Sequence, residues 1–190
     1  STSSRGLGDV YKRQLLTNKP ITVITNGFEP LAVKPQGLDA RFSIAHIGSL
    51  LTQRNPTVLW EVLSELVKED PVFAQDLEIS LTGVVSDEVL SSIALVGLTN
   101  NTTLKGYVPH KQAIMLQHKA QILLLLEVDS EDTKAIIPGK LFEYLQAHRP
   151  IIAIGPKGSD IEGIINTTES GVYIAANQKE ALKKQLLTYY

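Results

Sequence analysis

The sequence contains no cysteine. Disulfides and thiolate metal sites are therefore excluded, and a reducing compartment such as the cytoplasm fits. No apolar run approaches the roughly 20 residues that cross a bilayer as a helix. The longest, ILLLL from Ile122 to Leu126, is strand-sized. The first residues also lack the apolar core of a signal peptide. There is no excess of positive charge. The formal net charge is -2, so the electrostatic case for binding nucleic acid is missing. Nucleophile elbow, Gly-x-x-x-x-Gly-Lys-Ser/Thr loop and glycine-rich dinucleotide fingerprint are all absent. Their absence disfavours hydrolase, phosphate-transferring and NAD-dependent readings. The four histidines, His46, His110, His118 and His148, show no zinc-ligand spacing, and no metal is expected. His46 reads as structural and His110 as a candidate helix cap.

What is present is a normal globular balance, 43% hydrophobic and 20% charged over 190 residues, enough for one ample domain. Residues 1–14, STSSRGLGDVYKRQ, are polar and without apolar period. They read as a flexible leader, either left by cloning or a native linker. Residues 15–190 read as the folded domain. Strand candidates are ITVITN (Ile21 to Asn26), FSIAHIG (Phe42 to Gly48), LEISLTG (Leu77 to Gly83), TTLKGYV (Thr102 to Val108), ILLLL, IIAI (Ile151 to Ile154) and GVYI (Gly171 to Ile174). Helices are expected between them. One opens at Asn55-Pro56, with Leu59, Val62, Leu63 and Leu66 on one face. A second runs from Ser86, as its cap, to Val96, and a third from Pro109 to His118. Three more span Lys140 to Ala147, Ser159 to about Asn166, and Gln178 to the end. ILLLL and IIAI are apolar at every position, so both faces must be covered. That favours a doubly wound, mostly parallel α/β sheet of about six strands flanked by helices.

In such a sheet ligands sit beyond the carboxyl ends of the strands, where the strand order reverses. The loops to watch follow Ile47, Leu81, Leu126 and Ile154. The longest is EVDSEDTKAIIPG, Glu127 to Gly139. At its end Pro138 stiffens the turn, and Gly139 permits close approach of a ligand. The helix that follows presents unpaired amides to a phosphate. Lys140 adds a full charge, and Glu143, one turn along, can accept hydrogen bonds from a pair of ribose hydroxyls. From this spacing alone, plain turn chemistry and a solvated carboxylate are the commoner reading.

The stretch GKLFEYLQAHRPIIAIGPKGSDIEGIINTTESGVYI, Gly139 to Ile174, resembles the C-terminal, donor-nucleotide-binding domain of family-four (group 1) glycosyltransferases. The family pattern is a lysine (Lys140), an aromatic-acid pair (Phe142-Glu143), a small-residue helix (Leu145 to Ala147), a proline (Pro150) and an apolar strand. Three further pieces agree in order: VITNGFEP (Val23 to Pro30), IAHIGSLLTQRNP (Ile44 to Pro56) and TTLKGYVPHKQAIMLQHKAQILLLL (Thr102 to Leu126). The resemblance covers about Ile21 to Tyr190. It implies one Rossmann-like half of a GT-B fold, and Glu143 as reader of the nucleotide ribose. It also implies a phosphate-side loop carrying Gly48, Ser49 and Arg54. Two departures stand out. The family's first glutamate falls at Ala135, with Asp129, Glu131 and Asp132 nearby as candidate substitutes. The arginine of the phosphate-side pair is Ser49, while its lysine position holds Arg54.

The expected site residues are thus Gly48, Ser49, Arg54, Pro138, Gly139, Lys140 and Glu143. What the resemblance implies is transfer of a sugar from a UDP- or GDP-sugar, with no cofactor or metal. The acceptor would be an unknown saccharide or lipid-linked saccharide, and the enzyme would be cytoplasmic or peripheral at the inner face of the membrane. The N-terminal acceptor domain would be missing, and this chain alone would transfer no sugar. Two alternatives remain: a nucleotide-binding or interaction module without transfer activity, and part of a sugar-nucleotide epimerase.

Overall fold

Strand and helix alternate because the apolar runs are too short for anything but strands, and the segments between them carry helical period. The computed structural model describes residues 28–34 and 36–190. The leader, the strand expected at Ile21 to Asn26 and most of the stretch from Val23 to Pro30 lie outside the described residues. Among the described residues six strands form one sheet: β1 (Phe42–Ile47), β2 (Leu77–Thr82), β3 (Thr102–Gly106), β4 (Ile122–Leu126), β5 (Ile151–Ile154) and β6 (Gly171–Ile174). Their order is β3-β2-β1-β4-β5-β6, and every pairing is parallel. The order reverses between β1 and β4, which fixes where a crevice opens at the carboxyl ends.

Seven helices are found among the described residues: α1 (Thr57–Glu69), α2 (Pro71–Asp76), α3 (Asp87–Leu95), α4 (His110–Lys119), α5 (Gly139–Ala147), α6 (Asp160–Thr168) and α7 (Lys179–Tyr189). They cover both faces. Ile122, Leu124 and Leu126 of β4 join a core with α1, α2, α3 and α7, including Leu59, Trp60, Phe73 and Leu182. Leu123 and Leu125 join a second core with Leu141 and Tyr144 of α5 and Ile161 and Ile165 of α6. This two-sided burial is why ILLLL has no polar position. β3 is the exception. It is the exposed edge, and its pairing with β2 is broken by a register shift at Leu81/Thr82.

Local chemistry corrects some boundaries. Pro56 stands at the N-cap of α1, and Asn55 instead accepts from the indole of buried Trp60 at 2.8 Å. Ser86 occupies the N-cap of α3, but its hydroxyl takes no helix amide; it accepts from the Thr52 hydroxyl at 3.3 Å. A serine in the cap position thus does not guarantee a side-chain cap. The short α2 has no counterpart among the expected helices. Asp70 caps it by accepting from Val72 and Phe73, with Pro71 opening its first turn. His110 opens α4 without capping it, since no side-chain cap is made there.

α5 ends on His148 in the left-handed conformation, φ 52°. That position favours glycine, because a Cβ there crowds the backbone. His148→Gly is expected to stabilise the fold by about 1 kcal/mol, read as a higher midpoint in chemical denaturation.

Candidate functional site

The loop after β1 is shaped by close backbone packing. Gly48 has φ +124°, and its amide donates to the Thr82 carbonyl at 2.9 Å. A Cβ on Gly83, itself at φ +108°, would lie 2.7 Å from the Gly48 carbonyl oxygen. The loops after β1 and β2 therefore interlock, which requires glycine at both places. The chain then pairs Leu50 with Val85 and turns through a single 3-10 turn, Thr52–Arg54. Arg54 ends that turn and is exposed.

The other wall comes from β4 and α5. Tyr144 anchors it. The Tyr144 hydroxyl donates to the Leu124 carbonyl of β4 and accepts the Ile47 amide of β1, both at 3.2 Å. It therefore bridges the two strands at the point where the sheet order reverses. Burial pushes its pKa up, so the hydroxyl stays neutral. With α5 held this way, Pro138 sits at its N-cap with no side-chain cap, and Gly139 begins the helix. The opening of α5 is therefore available to an anion.

Lys140 turns inward from this opening. Its Nζ lies 3.4 Å from His46 Nε2 and 5.8 Å from the centre of the Tyr144 ring. A Cβ on Gly48 would come within 3.2 Å of it. Among the described residues no carboxylate stands within ion-pair distance of Lys140 or Arg54. Desolvation, and then the positive charge of Arg54, lower the Lys140 pKa to about 8. Buried His46 is pushed well below its ordinary value by desolvation, then by Lys140 and Arg54. It is neutral, and its Nε2 accepts from the ammonium. The other ring nitrogen, Nδ1, has no hydrogen-bond partner. Two cations thus converge with no carboxylate in ion-pair contact, which leaves both free to take an anion.

They line a cavity of about 220 Å³ at the carboxyl ends of β1 and β4, together with Ser49, Pro138 and Glu127. A larger cavity of about 560 Å³ lies at the opposite end of the sheet, beside His148, Arg149 and Glu169. There α5 and α6 present their carboxyl ends, which repel anions.

The structure brings together Ser49, Arg54, Pro138 and Lys140, with Gly48 against Lys140 and Gly139 at the helix opening. It does not bring Glu143 into that cavity. Glu143 faces α4, accepting from His110 Nε2 at 2.7 Å and from Gln117 Nε2 at 2.8 Å. His110 opens α4 and Gln117 lies two turns further along it, so this carboxylate is held against the side of α4, in the groove between the two helices. Each oxygen takes one donor and keeps lone pairs for another. The candidate substitutes in the loop do not converge: Glu131 is exposed and paired with Lys134 at 2.6 Å, and Asp129 and Asp132 are exposed. Ala135 carries no polar group. Sequence reasoning missed Tyr144, His46 and Gln117. For Tyr144 a signal existed, since Leu141, Tyr144 and Ala147 share the buried face of α5. Among the described residues no three His, Asp or Glu side chains are grouped to hold a metal ion. No helix there is long and apolar enough to cross a membrane.

A profile of the family described as Glycosyl transferases group 1 matches residues 41–190. The chain belongs to the group 1 glycosyl transferases. Solved structures show that this group 1 chain shares its fold with longer proteins. Pneumococcal O-GlcNAc transferase GtfA, solved with UDP and GlcNAc, superposes with a TM-score of 0.66 at 19% identity, covering 97% of this chain and 36% of that one. A mutant of S. aureus TarM, solved with Fondaparinux, alpha-GlcNAc-glycerol and UDP, gives 0.65 at 16% identity, covering 95% of this chain and 35% of that one. The C-terminal domain of LpcC from Francisella tularensis gives 0.57 at 14% identity, covering 80% and 76%. The group 1 chain thus spans little more than a third of the length of GtfA and TarM. No match is found among curated proteins.

Proposed function

We propose that this chain is the donor-binding half of a glycosyltransferase, holding a nucleoside diphosphate sugar at the switch between β1 and β4. One observation carries the reading: Lys140 and Arg54 converge, without a carboxylate partner, beside the uncapped start of α5. In transfer, negative charge develops on the departing diphosphate. Arg54, Lys140 and the α5 amides would stabilise it without a metal, each donor contributing roughly 3 kcal/mol. Glu143, oriented by His110 and Gln117, would accept the ribose hydroxyls in the adjoining groove. The UDP held in the GtfA and TarM structures supports a nucleotide donor. The saccharides in those structures support a saccharide acceptor, and a lipid-linked saccharide is the form we propose for it. On this reading the acceptor is bound by a second domain that the chain does not span, and the enzyme works in the cytoplasm or at the inner face of the membrane. The chain alone then binds donor and transfers nothing.

Calorimetry with UDP, GDP and ADP tests this. One of the nucleotides is expected to bind, and Arg54→Ala and Glu143→Ala are each expected to weaken it about tenfold or more, the worth of a charge-assisted hydrogen bond. If none of the nucleotides binds, the donor-site reading is wrong and an interaction module is left.

A further inference from the structure

Glu127 immediately follows β4 and is, among the described residues, the only carboxylate lining the cavity that Arg54 and Lys140 also line. It is half-buried, and its oxygens are taken by hydroxyls rather than by cations. Its Oε1 accepts from the Ser159 hydroxyl at 2.9 Å. The Tyr173 hydroxyl lies 2.5 Å from Oε2 and 2.8 Å from the Pro156 carbonyl. The carboxylate is the better acceptor of the two and takes that proton.

The surroundings are built for this placement. Gly155 has no room for a side chain, because a Cβ there would sit 2.5 Å from the Tyr173 hydroxyl and 2.7 Å from Glu127 Oε2. Ser159 is the N-cap of α6, where its oxygen also accepts the Ile161 amide at 3.2 Å. The carboxylate is therefore held from β5, β6 and α6 at once. Burial nevertheless works against its charge and raises its pKa. Nothing in the packing of the core requires an acid at this position. A carboxylate can accept about four hydrogen bonds, and the two protein donors leave it capacity for more.

We infer that Glu127 reads a pair of hydroxyls on the transferred sugar, in the cavity that Arg54 and Lys140 also line. The inference rests on the donor-binding reading and names the part of the site that recognises sugar rather than nucleotide. It locates that recognition at the end of β4 itself, since Ala135 has no polar group and the loop acids Asp129, Glu131 and Asp132 are exposed, Glu131 being paired with Lys134. Glu127, Ser159 and Tyr173 form one unit: the acid reads, and the two hydroxyls are positioning groups that stop it from turning toward Arg54.

The test is calorimetry of the full chain with two probe pairs, UDP against UDP-N-acetylglucosamine and GDP against GDP-mannose. Glu127→Gln is expected to weaken the nucleotide sugar about tenfold or more and to leave the bare nucleoside diphosphate within about twofold, or tighter, because a negative charge has gone. Glu131→Gln should change neither. Tyr173→Phe keeps the core and frees one carboxylate oxygen, so it should weaken only the nucleotide sugar, by about threefold. If Glu127→Gln does not fold, the Tyr173→Phe pattern decides alone. Equal losses for both members of a pair would make Glu127 a general support of the cavity and overturn the inference, as would no loss for either. If the unaltered chain bound none of the four probes, the donor-binding reading itself would fail and take this inference with it.

Discussion

Lys140→Met is expected to make the protein more stable and to weaken nucleoside diphosphate binding by roughly tenfold to a hundredfold. The two effects share one cause. A lysine held at about 8 instead of 10.5 is one whose charged form is disfavoured in the fold. At neutral pH that penalty is about 3 kcal/mol at most. Methionine removes it while filling the same space, and the loss of a donor to His46 Nε2 returns part of the gain. A net gain of about 1 kcal/mol should raise the melting temperature by about 2–4 °C. Binding behaves oppositely, because the diphosphate is attracted only to the charged form. The folded pKa lies below the unfolded one, so the penalty is fully present below about pH 8 and fades as the pH rises from there toward 10.5. A bound diphosphate raises the pKa again, so donor affinity should fall as pH rises through about 8. In Lys140→Met that fall should be absent. Calorimetry over roughly pH 6.5 to 9.5, which brackets a lysine titrating at about 8, measures both. A variant that loses stability and keeps its affinity would make Lys140 a structural residue.

The largest effect on folding is expected from Gly171→Ala. Gly171 opens β6 opposite Ile151, and an added Cβ would overlap the Ile151 carbonyl oxygen and lie 2.7 Å from the Ile151 nitrogen. These are backbone atoms of a buried strand, so no rotamer change relieves the overlap. β6 would have to leave its register, and with it the packing of α6 and of Tyr173 against Glu127. The loss should exceed about 4 kcal/mol, the range in which single substitutions are exceptional. Urea denaturation measures it. A loss under about 1 kcal/mol would mean that β6 shifts freely along β5.

The middle of the sheet was readable because β4 and β5 are unbroken apolar runs. Ile122 to Leu126 and Ile151 to Ile154 fall where the sequence puts them. The strand from Thr102 stops at Gly106, two residues early, because Gly106, the last paired residue, adopts φ +62° and turns the chain away after it. α2 escaped notice since its six residues are too few to show a helical period. For the site, the glycine turns and the cations were legible as local patterns. Glu127 was not, because its partners Ser159 and Tyr173 lie 32 and 46 residues away. The facing of Glu143 was not legible either. The sequence places it one turn into α5, but only the packing of α4 shows that His110 and Gln117 meet it there.

The exposed rim at β3 has a consequence for how copies of the molecule meet one another. An open parallel sheet leaves free amides and carbonyls along its outermost strands, a template on which another chain could polymerise. Here one border is five residues long and the other four. The longer, β3, pairs irregularly with Leu81/Thr82 of β2 and carries the exposed Lys105. A stranger's backbone finds too few groups in line, and a positive charge where it would have to lie, so the molecule's own borders guard it against fibrous self-association.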